Sequence, residues 1–125
     1  MLNQVELIGR LGNDPEFRTL NSGDRVCNIR LATTETWKND AGERKERTTW
    51  HTVEVFGKGK VNAIEKCLRK GSLVHIIGQL RYDEYEKDGV KQVRAKINLS
   101  GPKHQVLFLD KKPTEQAEDE PGSQG

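Results

Sequence analysis

Apolar and polar residues alternate with a period of two along most of this chain, a pattern typical of strands that bury one face. In the first stretch Val5, Leu7 and Leu11 share one face, and Gly9 and Gly12 indicate a bend or bulge. The pattern predicts, in chain order, strands at residues 5–11, from Cys27 to about Trp37, from about Thr48 to Gly57, from Leu73 to Tyr85, at residues 93–99 and from His104 to Leu109.

One segment, between the third and fourth predicted strands, has helical spacing instead. Val61, Ile64 and Leu68 recur at i, i+3 and i+7, so we predict a helix from Lys60 to Lys70 with Gly71 as its left-handed stop. Three strands, a short helix and two or three further strands follow the order of an OB-fold, a five-stranded barrel with its helix between strands 3 and 4. Periodicity alone leaves a β-sandwich open.

The connections between strands support hairpins. Residues 39–42, followed by the charged residues 43–47, predict a long hairpin tip, and the pair Asp88 and Gly89 is a strong two-residue hairpin signal. A chain of 125 residues suits one compact domain, which we place at residues 1–110. From Lys111 onward polar, acidic, Pro and Gly residues replace apolar ones, so residues 111–125 are predicted to be a disordered acidic tail.

Charge is unevenly divided along the chain, although the formal net charge is only +2. Residues 113–125 contain four acidic residues and no Lys or Arg, so all 21 basic residues and 15 of the 19 acidic ones precede them. A basic domain with an acidic tail favours a polyanionic ligand such as nucleic acid.

The cysteines and the apolar runs exclude several classes of protein. Cys27 and Cys67 lie forty residues apart without a CxxC pair or a His-rich partner, which indicates neither a zinc site nor a disulfide framework. The N-terminus lacks a basic leader followed by an apolar stretch, and no run approaches membrane-spanning length. We therefore expect a cytoplasmic protein with no membrane partner, no metal and no cofactor.

Aromatic residues occur where hairpins would expose them. Trp37 ends the second predicted strand and Trp50 begins the third, so the hairpin is expected to bring both indoles together on one flank. Trp50 and Phe56 share one strand parity, whereas Val53 and Val55 share the other and are the better core candidates. Each aromatic taken alone has a core role as an equal alternative.

Basic residues accompany a further aromatic at the next hairpin. Tyr85 lies near its tip, among Arg81, Lys87, Lys91 and Arg94. Every unpaired base presents a flat π-face, and stacking on aromatic rings contributes roughly 1–3 kcal/mol per base with little sequence preference. Lys and Arg neutralise the phosphates, which makes such binding depend strongly on salt.

Several ordered motifs carry a resemblance to a known family. The chain is similar to the bacterial-type single-stranded DNA-binding proteins over nearly all of residues 1–109. The matching stretches are VELIGRLG at 5–12 with DPE at 14–16, NIRLAT at 28–33 leading to Trp37, ERTTWH at 46–51, VFGK at 55–58, LRKGS at 68–72 and GQLR at 78–81.

The resemblance implies an OB-fold subunit that assembles into a homotetramer and coats single-stranded DNA during replication, repair and recombination, without catalysis. It assigns base stacking to Trp37, Trp50 and Phe56, and Tyr85 falls where the family often has another aromatic. The basic residues that the resemblance places at or near the bound DNA strand are Lys58, Lys70, Arg81 and Arg10.

Two histidines and the first strand are expected to make subunit contacts. His51 has no nucleophile-like neighbour in the sequence, so we assign it, with His75 in an apolar strand, to packing or to a subunit interface. Val5 and Leu7 of the first strand are predicted to belong to that interface.

An OB-fold accessory module that mainly contacts proteins remains the chief alternative function. A metal-dependent nuclease is poorly supported, because adjacent carboxylates such as Asp83 and Glu84 point to opposite faces of a strand.

The C-terminal segment departs from the family's pattern. Bacterial members usually end in an acidic tail tipped by a motif with Pro and a terminal Phe, which recruits protein partners. This chain ends Pro121-Gly122-Ser123-Gln124-Gly125, so the usual tail partners are doubtful.

Overall fold

The computed structural model describes residues 1–110, which form seven strands and one helix. In chain order the elements are β1 (Val5–Leu11), β2 (Glu16–Thr19), β3 (Arg25–Lys38), β4 (Arg44–Val55), α1 (Lys58–Cys67), β5 (Leu73–Lys87), β6 (Val90–Leu99) and β7 (Gln105–Phe108). The prediction of an all-β OB-fold with a single helix is confirmed for this part of the chain. The tail predicted at 111–125 lies outside the described residues.

Five strands close the barrel. β1 pairs with β3 on one side and with β5 on the other, and β4 and β6 complete the circuit between them. β4 and β6 run parallel, with Val53 opposite Ile97 and Val55 opposite Leu99. These four side chains are buried in one core with Leu31 and the apolar side of α1. The assignment of Val53 and Val55 to the core is thus confirmed.

The helix is offset from its predicted position. It begins two residues earlier, at Lys58, directly after Gly57 with a φ of 107°. It ends at Cys67, because Leu68 turns to an extended conformation while its amide still donates to the carbonyl of Ile64 at 2.9 Å. Gly71, with a φ of 91°, therefore does not stop the helix but lies in the turn that leads to β5.

Two strand predictions also need correction. β2 was not predicted, because its four residues contain one apolar side chain, Phe17, which pairs with Cys27 of β3. The charged residues 44–47 were expected in a hairpin tip, but they belong to β4. The β3–β4 ladder continues through them without a bulge and sets Arg47 opposite Glu35, a favourable cross-strand pair of charges.

Candidate nucleic-acid interface

Two hairpins extend from the barrel as arms. The parallel pairing of β4 with β6 covers only Val53–Val55 and Ile97–Leu99. Beyond these residues the β3–β4 ladder and the β5–β6 ladder separate. We call residues 32–50 the β3–β4 arm and residues 81–96 the β5–β6 arm. A cleft of about 460 Å³ opens where the arms diverge, with Trp50 and Arg94 among its lining residues.

Trp50 lies at the base of the β3–β4 arm on a floor of small residues. Ala32 is directly opposite Trp50 in the ladder, and Gly12, which follows the last residue of β1, also lies against the indole. A Cβ on Gly12 would come within 2.8 Å of the indole Cη2 atom and closer still to Cζ3, so the ring rests against bare backbone. Gly12 thus lies in the predicted bend, directly after β1, and also allows this close approach. The guanidinium of Arg30 lies over the ring, 4.9 Å from its centroid, yet Trp50 remains 50% exposed.

Trp37 lies near the far end of the same arm, and the prediction that it joins Trp50 on one flank is wrong. Trp37 pairs with Lys45, whereas Trp50 pairs with Ala32, so five ladder positions separate the two indoles. At about 3.4 Å per position this is roughly 17 Å along the strand. The odd number also places the indoles on opposite faces of the ribbon. Trp37 is 43% exposed, and Arg47 lies over its ring at 5.9 Å.

Tyr85 lies on one face of the β5–β6 arm together with basic residues. Arg81, Tyr85 and Lys87 share this face, and Arg94 of the facing strand lies over the Tyr85 ring at 5.2 Å. Arg81 is exposed, so its side chain is accessible to a DNA strand, in the role that the family resemblance implies. The predicted interleaving of an aromatic with basic residues is therefore realised on one face of this arm for Arg81, Lys87 and Arg94, whereas Lys91, opposite Glu86, lies on the other face.

The opposite face of the β5–β6 arm has a different character, which the sequence analysis missed. Tyr82 is 63% exposed there and lies beside Glu84 and Glu86, with Val93 opposite Glu84. Because successive side chains of a strand point to opposite faces, Tyr82, three residues before Tyr85, could have been placed on the other face from the sequence alone. Phosphates are disfavoured on this acidic face.

Phe56 and Lys58 lie where β4 leads into α1. Phe56 is half-buried, and its amide donates to the carbonyl of Leu99 at 2.8 Å. Its ring lines a recess of about 360 Å³ together with Lys58, Leu20 and Arg25. Lys58 is exposed at the first position of the helix. This pair is set apart from the two arms.

Lys70 and Arg10 lie on a further side of the barrel. The backbone amide of Lys70 donates to the Asp14 carboxylate at 2.7 Å, while its side chain is exposed. The guanidinium of Arg10 donates to the carbonyl of Gly71 at 2.9 Å and lies 3.6 Å from the Asp110 carboxylate. Arg10 is thus partly engaged within the protein.

The residues assigned to a subunit interface fall into two groups. Val5 and Leu7 are half-buried against the barrel core, and the exposed apolar side chain of β1 is Ile8, which the prediction passed over. His75 bonds to the Glu6 carboxylate at 2.6 Å on the outer face of β5. His51 contacts the Thr33 hydroxyl at 2.9 Å, and burial lowers the pKa of His51. The interface role of all four stays a prediction.

A polar cluster between β4, β5 and β6 carried no sequence signal. The ammonium of Lys96 lies 2.8 Å from the carboxylates of both Glu54 and Asp83. The side chains of Lys96 and Glu54 are only 14% and 13% exposed. Burial works against the charge, but the two carboxylates together raise the pKa of Lys96. Nearby, the buried Asn98 accepts from Ser100 at 2.6 Å.

Neither a metal-binding cluster nor a membrane-spanning helix occurs within residues 1–110. No group of three or more His, Cys, Asp or Glu side chains in this part of the chain is placed to hold a metal ion. Its one helix is too short and too polar to cross a bilayer.

Comparison with known proteins gives a consistent result. The model of the single-strand binding protein family matches residues 2–108. A single-stranded DNA-binding protein of Rickettsia felis is 42% identical over 113 residues, which cover 89% of this chain and 74% of that protein. Its counterpart in Rickettsia prowazekii is 41% identical over 117 residues, covering 92% and 77%.

Solved structures show the same relationship. An SSB complex with ssDNA from Plasmodium falciparum superposes with a TM-score of 0.81 at 37% identity, covering 88% of this chain and 96% of that one. A deletion mutant of the single-stranded DNA binding protein from Thermus aquaticus gives a TM-score of 0.72 at 28% identity, covering 89% of this chain and 52% of that one. On the length of the family match and the identity to these relatives, the chain belongs to the single-strand binding protein family.

Proposed function

We propose that this protein binds single-stranded DNA without sequence preference, by stacking bases on exposed aromatic rings and neutralising phosphates with neighbouring basic residues. The observation that carries the proposal is the repeated pairing of an exposed ring with an arginine, at Trp50, Trp37 and Tyr85. Grouped exposed apolar residues mark interaction sites, and flat rings beside cations suit a polyanion of flat bases. The relative solved with ssDNA at 37% identity supports the same ligand.

The proposed contacts divide by chemistry. Trp37, Trp50, Phe56 and Tyr85 stack on bases, while the four basic residues predicted from the family, Lys58, Lys70, Arg81 and Arg10, attract phosphates. Arg10 contributes least, because its guanidinium already bonds to Gly71 and lies near Asp110. The protein coats unpaired DNA during replication, repair and recombination, acts in the cytoplasm and performs no catalysis.

Fluorescence titration with oligo(dT) tests this function. Stacking on a base quenches indole emission, so the wild type should show deep, saturable quenching whose midpoint moves to weaker binding as salt rises. Trp50→Ala should bind at least tenfold more weakly, whereas Trp50→Phe, which keeps a flat ring, should lose much less. Wild-type emission that does not respond to oligo(dT) at low salt would exclude DNA stacking and favour an accessory protein-binding module.

We also propose that the subunits assemble into a homotetramer. β5 covers one edge of β1, but on the other edge β3 pairs only with Arg10 and Leu11, so among the described strands none pairs with that edge at residues 5–9. An unpaired edge invites pairing with another chain. Exposed apolar side chains, Ile8 at 56% and Leu107 at 42%, lie on the adjoining sheet face beside the pair of His75 and Glu6. Sedimentation velocity should give a mass four times that of one chain, and Ile8→Lys should reduce it.

A further inference from the structure

We propose that the arginine over each exposed ring occupies the face that a nucleobase takes, so that binding exchanges guanidinium for base and turns the arginine to a phosphate. Arg30 over Trp50 is the principal case. The inference rests on the proposed function, adds Arg30 and Arg47 to the residues that contact DNA, and gives Arg94 a specific role.

The three ring and arginine pairs repeat one geometric relation. In each, the arginine lies two positions from the residue directly opposite the ring, on the barrel side: Trp50 is opposite Ala32 and covered by Arg30, Trp37 is opposite Lys45 and covered by Arg47, and Tyr85 is opposite Gln92 and covered by Arg94. Diagonal neighbours of this kind are within reach of long side chains. Arg25 over Phe17, which is opposite Cys27, has the same relation, so the relation explains how an arginine reaches a ring and does not by itself indicate a use.

For Trp50, access to the ring is limited at two places. Gly12 lies against the edge of the six-membered ring, near Cζ3 and Cη2, where even a Cβ would collide with it. One face of the indole lies beneath the Arg30 guanidinium, 4.9 Å from the ring centroid. A base that stacks on this face must displace Arg30, because both cannot cover it.

The arginines of these pairs are free to turn. Among residues 1–110, no carboxylate lies within 4.0 Å of the guanidinium of Arg30, Arg47 or Arg94, so no ion pair ties it down, although Glu35 is opposite Arg47 and Asp83 is opposite Arg94 in the ladders. A cation over an exposed ring is held more weakly than a stacked base, and a released guanidinium can bond to phosphate through two parallel N–H groups. The exchange thus leaves both the ring and the cation in contact with the DNA.

Arg25 over Phe17 provides the contrast within the same protein. Its guanidinium lies 5.4 Å from the ring centroid, but it also donates to Asn62 at 2.6 Å and to Glu65 at 2.9 Å. These two bonds tie Arg25 to α1. A tied arginine should not exchange, which makes Arg25 a matched control for Arg30.

The test uses the full chain carrying Trp37→Phe, so that Trp50 is the one remaining tryptophan. In this background Arg30→Gln should make Trp50 of the free protein more accessible to acrylamide quenching, and oligo(dT) should abolish that difference. The slope of log Kobs against log salt should become shallower by about 0.7, the value for one phosphate on a single strand. The affinity extrapolated to 1 M salt should not fall.

Three results would overturn the exchange. One is unchanged acrylamide quenching of the free Arg30→Gln variant. The second is a tenfold or larger loss of affinity at 1 M salt with an unchanged slope, which would make Arg30 a support for the ring. The third is an equal slope change in Arg25→Gln, which would make the effect one of general charge. Failure of the parent protein to bind oligo(dT) at all would instead refute the proposed function.

Discussion

Replacing Gly12 with alanine should weaken DNA binding while leaving the fold intact. The added Cβ would come within 2.8 Å of Cη2 of Trp50 and closer to Cζ3, whereas carbon atoms in ordinary contact lie about 3.5–4.0 Å apart. The ring must therefore move by roughly 1 Å. It is free to do so because half of it is exposed. Stacking is worth about 1–3 kcal/mol per base, so a tilted ring should reduce affinity about tenfold.

The assay pairs oligo(dT) titration with thermal unfolding. Gly59→Ala is the neutral control, because nothing lies within 4 Å of its added Cβ and alanine is the better helix former. Gly9→Ala is the opposite control: its Cβ would collide with the backbone carbonyl of Ala32, which cannot swing aside, so the melting temperature should fall. If Gly12→Ala bound oligo(dT) as tightly as Gly59→Ala, the ring position inferred for Trp50 would not matter for binding.

Three further outcomes follow from buried groups. Lys96→Met should lower the free energy of unfolding, measured by urea titration, by about 2 kcal/mol, because it leaves the nearly buried Glu54 carboxylate without its cation. Adding Glu54→Gln to this variant should restore part of the lost stability. Since burial lowers the pKa of His51, the unfolded chain binds a proton more readily, so stability should fall as pH drops below about 6.5 and His51→Gln should flatten that slope. Burial raises the pKa of the Cys27 thiol to about 12, so a thiol reagent at pH 8 should label it only on unfolding, as mass spectrometry of the labelled peptide would detect.

Local pattern was sufficient for most of the architecture. Alternating residues such as Val53 and Val55 identify which face of a strand is buried, and the hairpin signal at Asp88 and Gly89 fixes the register of β5 against β6. The prediction of strands failed where the sequence has few alternating apolar residues. β2 offers a single apolar residue, Phe17, and residues 44–47 are charged but held in β4 by their partners across the ladder.

The site was less predictable because its geometry depends on pairs of strands. If residues 39–47 formed a long loop, Trp37 and Trp50 would lie near each other at the ends of their strands. In the structure the β3–β4 pairing is continuous from Thr33 opposite Thr49 to Lys38 opposite Arg44, and this separates the two indoles. The role of Gly12 depends on β1 lying beside β3, and the contact of Lys96 with Glu54 depends on the parallel pairing of β6 with β4. None of these relations is a property of neighbouring residues in the sequence.

The ladder register also constrains the path of the DNA. Trp50 and Trp37 lie about 17 Å apart along the ribbon, which corresponds to about five nucleotides at a stacked spacing of roughly 3.4 Å. Because their rings are on opposite faces, a strand that stacks on both must pass over an edge of the β3–β4 arm rather than run along one side. The β5–β6 arm imposes a similar choice, since Arg81 and Tyr85 share one face and Glu84 and Glu86 the other. We therefore expect a DNA strand that contacts both arms to follow the basic face of the β5–β6 arm and to curve around the β3–β4 arm, instead of crossing a flat groove.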